Sequence, residues 1–220
     1  MARAEDVEMP TRDELVQRIM GNDLCLRDKA LIATLYLTGA RVQEIVQNYP
    51  FIEYRSRSYK DKNGMDWYYW ISKSRDRDWR GLTLGQIEEV EIDGKRIVLF
   101  KDVPIEKRRD VKGILRRIIP VDYDREKEFV DIIDRYCQHL IQDKSTALFP
   151  TSRQNAWHII KRFHPTWWCH LMRHWRLTDL AVKKNMTDIE LKTFTGWKDT
   201  RPAAVYVHMQ WEDLARKMIR

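Results

Sequence analysis

Residues 27–38 read RDKALIATLYLT, apolar on nearly every side, and a helix of that kind belongs in the centre of a core. It is preceded by Pro10-Thr11-Arg12-Asp13-Glu14, a helix start in which Thr11 and Glu14 have the spacing of a capping box. The pattern then carries a first helix to Met20, where Gly21-Asn22 ends it. From residue 51 to 120 the period shortens. FIEYRSRSY and DWYYWIS flank Asn63-Gly64, a favoured type I′ hairpin turn, and EEVEI and KRIVLF flank Asp93-Gly94 in a second hairpin. The polar stretch KDVPIEKRRDVKG then leads into a third strand, LRRIIPV. From residue 124 onward helical spacing returns in REKEFVDIIDRYCQHLI, NAWHIIKRF, CHLMRHWRLTDLAVKK, DIELKTFTGW and AAVYVHM. The predicted fold class is mainly α with a small antiparallel β-sheet (α+β), inserted after the second helix.

Composition narrows the partners more than the fold. The 220 residues are enough for one large domain or two small ones, and an apolar fraction of 43% makes a packed core the expectation. Forty Lys and Arg against 33 Asp and Glu leave a net charge of +7, which favours an anionic partner, nucleic acid ahead of a membrane surface. Cys25, Cys137 and Cys169 are odd in number and widely spaced, which argues for a reducing compartment and against a disulfide frame or zinc site. No apolar run approaches the length of a membrane span, and MARAEDVEMP lacks a secretory signal, so the chain reads as soluble and cytoplasmic.

Four places carry candidate chemistry. His170 and Arg173 lie three apart on one predicted helix, where an imidazole and a guanidinium can converge on one anion. In isolation such a pair is more often a solvated arginine beside a half-buried histidine. Arg41 follows the most apolar helix, where a charge must be paired or line a pocket, and Glu44 three residues on could orient it or simply pair with it. Lys112 occupies a turn before a strand, from which a flexible amine can act as a proton donor; Lys107 and Lys101 are alternatives close by. Tyr206 is one of nine tyrosines, and a phenol with a reference pKa of about 10 needs a lowered pKa or a proton acceptor close by before it can act as a nucleophile.

The order of these features carries more than each alone. TGARVQE, then VKGILRRIIP, then HLMRH, then a Gly-Trp pair followed nine residues later by tyrosine, resembles the tyrosine recombinase family of phage integrases and of Xer-type and Cre-type recombinases. The resemblance runs from Thr11 to the end of the chain and implies that family's catalytic-domain fold. It implies that Arg41 and Arg173 clamp the scissile phosphate, and that His170 assists proton transfer at the tyrosine. Trp197, at the position of the family's second histidine, would donate its indole N–H, as in Cre-type members. Lys112 would protonate the leaving 5′ oxygen, and Glu44 would support Arg41. Tyr206 would attack phosphorus to give a 3′-phosphotyrosyl intermediate, with neither metal, ATP nor any other cofactor.

The implied activity is that of a site-specific DNA recombinase or integrase of a mobile element. The alternatives are a type IB topoisomerase-like enzyme, with the same nucleophile, and a non-catalytic DNA-binding module. Implied partners are double-stranded DNA and further copies of the chain in a tetrameric synapse, with the C-terminal helix docked on a neighbour. The expected organisation is a leader at 1–8 and a catalytic domain at 9–220, whose tail helix spans 207–220. Residues 46–80 depart from the family as an insertion or sheet extension, and nothing in the chain corresponds to the N-terminal core-binding domain.

Overall fold

A computed structural model describes residues 7–46, 57–60, 66–69, 81–110 and 113–205. Thr11 caps helix α1 (Arg12–Gly21) as the sequence predicts: its hydroxyl accepts from the Glu14 N–H, and the Glu14 carboxylate accepts from the Thr11 N–H at 2.8 Å. Helix α2 (Leu26–Thr38) is the central element, buried without a break from Ala30 to Thr38. It ends at Gly39, whose φ of 53° gives the left-handed C-cap that glycine adopts at little cost. After Ala40 and the extended Arg41 the short helix α3 (Val42–Ile45) begins.

Two sheets follow. Strands β1 (Arg57–Lys60) and β2 (Asp66–Tyr69) pair antiparallel with Lys60 opposite Asp66; the turn expected at Asn63-Gly64 lies outside the described residues. Strands β3 (Ile87–Ile92), β4 (Lys95–Asp110) and β5 (Gly113–Asp122) form an antiparallel meander in the order β3-β4-β5. The β3–β4 turn is the expected Asp93-Gly94, with φ of 50° and 74°. Strand β4 is longer than the sequence suggests. The polar stretch after Phe100 stays in the sheet, pairing Val103 with Arg117 and Pro104 with Arg116 across irregularities in register. Pairing with β5 satisfies that backbone, so the ladder extends beyond the apolar run that marks it in the sequence.

The C-terminal half is helical: α4 (Tyr123–Cys137), α5 (Arg153–Phe163), α6 (Cys169–Val182) and α7 (Asp188–Thr195). Arg201–Val205 then forms a 3-10 turn where the sequence predicts the start of an α-helix. Helix α2 packs against α4, α6 and α5, with Tyr36 and Phe129 tilted at a 5.0 Å ring separation. One face of the sheet closes the core through Val98, Phe100, Val103, Ile119 and Val121, and a single cluster of buried residues runs from Leu15 to Ala203. A side chain such as Phe100 or Phe129, fully removed from water, stabilises the fold by about 1.5–3 kcal/mol. Charges are buried here as well. Glu126, 1% exposed, accepts from Arg176 Nη1 at 2.6 Å and Arg12 Nε at 3.2 Å, tying α4 to α6 and α1. No helix among the described residues is long and apolar enough to cross a membrane.

Candidate active site: three arginines around one carboxylate

The end of α2, the start of α3, strand β5, helix α6 and the residue after α7 meet at one place. Its centre is Glu44, which is fully buried. The Arg41 N–H donates to Glu44 Oε2 at 2.9 Å, and Arg41 Nη1 donates to Oε1 at 3.2 Å. The Arg41 side chain keeps a fifth of its surface in contact with solvent, whereas the carboxylate it grips is fully buried. A second arginine reaches the same carboxylate from the sheet: Arg117 Nη2 donates to Glu44 Oε2 at 2.9 Å.

Arg173 completes the cluster from α6. It is 1% exposed and donates from Nη1 to the carbonyl of Gly39, the cap of α2. The chain's reversal at Gly39 exposes that carbonyl to α6, so the cap that ends α2 also anchors an arginine. The Arg173 guanidinium carbon lies 5.7 Å from the centre of the Trp197 ring, within cation–π range. Trp197 is half-buried, and Gly196 just before it has a φ of 70°. A Cβ at Gly196 would lie 2.5 Å from Ile105 Cδ1 and 3.3 Å from Arg117 Cδ. The turn that carries Trp197 therefore sits directly on the sheet.

His170 stands one turn before Arg173 on α6, but the two differ in environment: the imidazole is exposed and the guanidinium is covered. Arg41, Glu44, Arg173 and Trp197 come together as described, with His170 on the same helix as Arg173. Lys112 and Tyr206 lie outside the described residues, as does the tail helix at 207–220. Of the alternative lysines, Lys101 pairs with Glu88 on the sheet.

Electrostatically the cluster is cationic, with three guanidinium groups to one carboxylate. Burial pushes the Glu44 carboxyl up, yet the charge and hydrogen bond of Arg117, the Arg41 N–H and the charge of Arg173 outweigh it and hold the group below 4.5. Glu44 is thus an anion at neutral pH and neutralises one of the three cations. Such an excess of positive charge, held on forked donors, suits an oxyanion such as a phosphate. Among the described residues no group of three or more His, Cys, Asp or Glu converges as a metal site.

Arg117 is the residue that reading for motifs misses, although strand alternation marks it. In LRRIIPV, positions 117, 119 and 121 share one face, and Ile119 and Val121 are core residues, so Arg117 must point inward. The inward arginine and the outward Ile118, 55% exposed, reverse what hydrophobicity alone dictates.

No protein-family model matches the sequence, and no curated protein does. Solved structures do match. The integrase of transposon Tn1549 (residues 82–397), in complex with circular intermediate DNA, aligns over 100% of this chain and 66% of its own, with a TM-score of 0.61 at 16% identity. The XerH site-specific recombinase bound to its difH substrate aligns over 92% of this chain and 50% of its own, with a TM-score of 0.54 at 13% identity. XerA recombinase aligns over 99% and 65%, with a TM-score of 0.51 at 15% identity. The chain thus spans between half and about two thirds of the length of these three structures. Helices around a three-stranded antiparallel sheet are the fold of these tyrosine recombinase catalytic domains.

Proposed function

We propose that the chain is the catalytic domain of a site-specific DNA recombinase or integrase that cuts and rejoins DNA through Tyr206. The observation that carries this reading is the cationic cluster, in which Arg173 is locked to the Gly39 carbonyl and the part-exposed Arg41 is held by Glu44. Two forked donors fixed in advance can take the non-bridging oxygens of one phosphodiester without reorganising as charge builds in the transition state. The same positive field favours the phenolate of a nearby tyrosine over its neutral form.

In this reading the Tyr206 oxygen attacks phosphorus, its proton passing with the help of His170, and the bond from phosphorus to the 5′ oxygen breaks. Lys112 gives the leaving oxygen its proton, and Trp197 donates its indole N–H to a phosphate oxygen. The product is a 3′-phosphotyrosyl ester and a free 5′-hydroxyl. A second 5′-hydroxyl reverses the step on a new strand, so the ester's free energy is conserved and no ATP is needed. The partners are double-stranded DNA and other copies of the chain in a tetrameric synapse, with residues 207–220 docking on a neighbour. Residues 9–220 act as the catalytic unit.

The test is a pool of nicked duplexes that lose the 5′-hydroxyl fragment on cleavage and so trap the covalent product. Wild type should give an adduct that survives denaturation and maps to the Tyr206 peptide, and Tyr206→Phe should give none. An equal adduct in both, or none across the pool, ends the proposal.

A further inference from the structure

Arg117 belongs to no step above, yet its charge is buried in the fold. It lies on the inward face of β5 with its side chain 5% exposed, and its Nη2 donates to Glu44 Oε2 at 2.9 Å. Its Nε and Nη1 are buried and have no hydrogen-bond partner among the described residues. That cation is costly to bury for one ion pair, since such a pair is often no more stabilising than well-packed apolar residues. A purely structural account therefore leaves its presence unexplained.

Geometry supplies a reason. The carboxylate that Arg117 grips is the one that sets Arg41: Oε2 also accepts from the Arg41 N–H, and Oε1 accepts from Arg41 Nη1. The bonds from Arg41 hold Glu44 within α3, and the bond from Arg117 ties it to the sheet as well. The stem of Arg117 also lies under the turn of Gly196, which carries Trp197. In sequence it stands five residues after Lys112, on the strand that Lys112 leads into.

Resting on the recombinase reading, we propose that Arg117 is a positioning residue for the cleavage step: it locks Glu44, and through Glu44 the Arg41 guanidinium, to the strand that follows Lys112. Arg117 touches no reacting atom. Its effect is to keep the phosphate clamp in fixed relation to β5.

The experiment uses the full chain and the nicked substrate, measuring DNA affinity by fluorescence anisotropy and the single-turnover rate of adduct formation at saturating DNA. Wild type must first form the adduct; if it does not, the recombinase reading fails and takes this inference with it, before any Arg117 variant is compared. Given an adduct, Arg117→Met should slow its formation by roughly 10- to 100-fold with affinity nearly unchanged, because small misplacements of a clamp cost rate rather than binding. Adding Arg117→Met to Glu44→Gln should slow the reaction little beyond Glu44→Gln alone, since both act through one carboxylate. A folded Arg117→Met protein that cleaves at the wild-type rate, or effects that multiply in the double variant, would overturn the proposal. Should Arg117→Met not fold, Arg117→Lys decides. It keeps the buried charge without the fork, so a slowed reaction at unchanged affinity supports positioning and a wild-type rate refutes it.

Discussion

Gly196→Ala perturbs the joint between the sheet and the Trp197 turn, and its cost can be worked from the coordinates. At a φ of 70°, alanine loses about 1–2 kcal/mol to the clash of its own Cβ with the backbone. The new Cβ would also sit 2.5 Å from Ile105 Cδ1 and 3.0 Å from Cγ1. Ile105 is buried, so it can yield only by leaving its rotamer, at about 0.5–1.5 kcal/mol. Together these give about 1.5–3.5 kcal/mol, or roughly 3–14 °C in Tm for a chain of this size. Urea denaturation followed by circular dichroism measures it. The two contributions separate in an Ile105→Val background, which removes the nearest atom at its own cost of about 0.5–1.5 kcal/mol. There the alanine should cost about 1 kcal/mol less, a coupling that a double-mutant cycle resolves. Equal costs in both backgrounds would show that Ile105 does not bear on the turn. A cost below about 0.5 kcal/mol would show that the left-handed cap is not needed.

Three other outcomes are expected. Glu44 has a lowered pKa in the fold, so its contribution to stability is complete above the unfolded value and is lost as pH falls through the folded one. The stability gap between wild type and Glu44→Gln should therefore shrink on acidification below 4.5; a gap unchanged by pH would refute the assigned charge state. Burial pushes the thiols of Cys137 and Cys169 up to about 12 and about 11, whereas Cys25 is exposed. A thiol reagent at neutral pH should label Cys25 fast in the native protein and the other two only on unfolding, as mass spectrometry of labelled peptides would show. Glu126→Ala leaves Arg176 buried without its 2.6 Å partner and should cost about 3–5 kcal/mol in denaturant titrations. A loss under about 1 kcal/mol would mean that water reaches that arginine.

Local chemistry made several elements legible in the sequence. The capping box at Thr11, the apolar faces of α2 and the Asp93-Gly94 turn are short-range signals, because caps, periodicity and positive-φ turns depend on residues only a few positions apart. The same holds for the spacing of Arg41 to Glu44, whose side chains meet at 3.2 Å. Other features depended on partners far along the chain. The extension of β4 through residues 101–110 follows from a partner strand, not from its own polar composition. Arg173 could be read as solvated or as part of a pocket until α6 was packed against the end of α2, where the Gly39 carbonyl, 134 residues away in sequence, receives it.

Arg117 shows the division most clearly. Strand parity alone turns it inward, but parity cannot say whether an inward charge is tolerated, or by what. Which elements form and which residues could bear chemistry were legible in the chain, because those follow from neighbours along it. Packing alone settled that Glu44 is shared by Arg41, three residues before it, and Arg117, 73 residues after it. Burial removes the water that would otherwise satisfy each charge, so the choice of partner is made by packing.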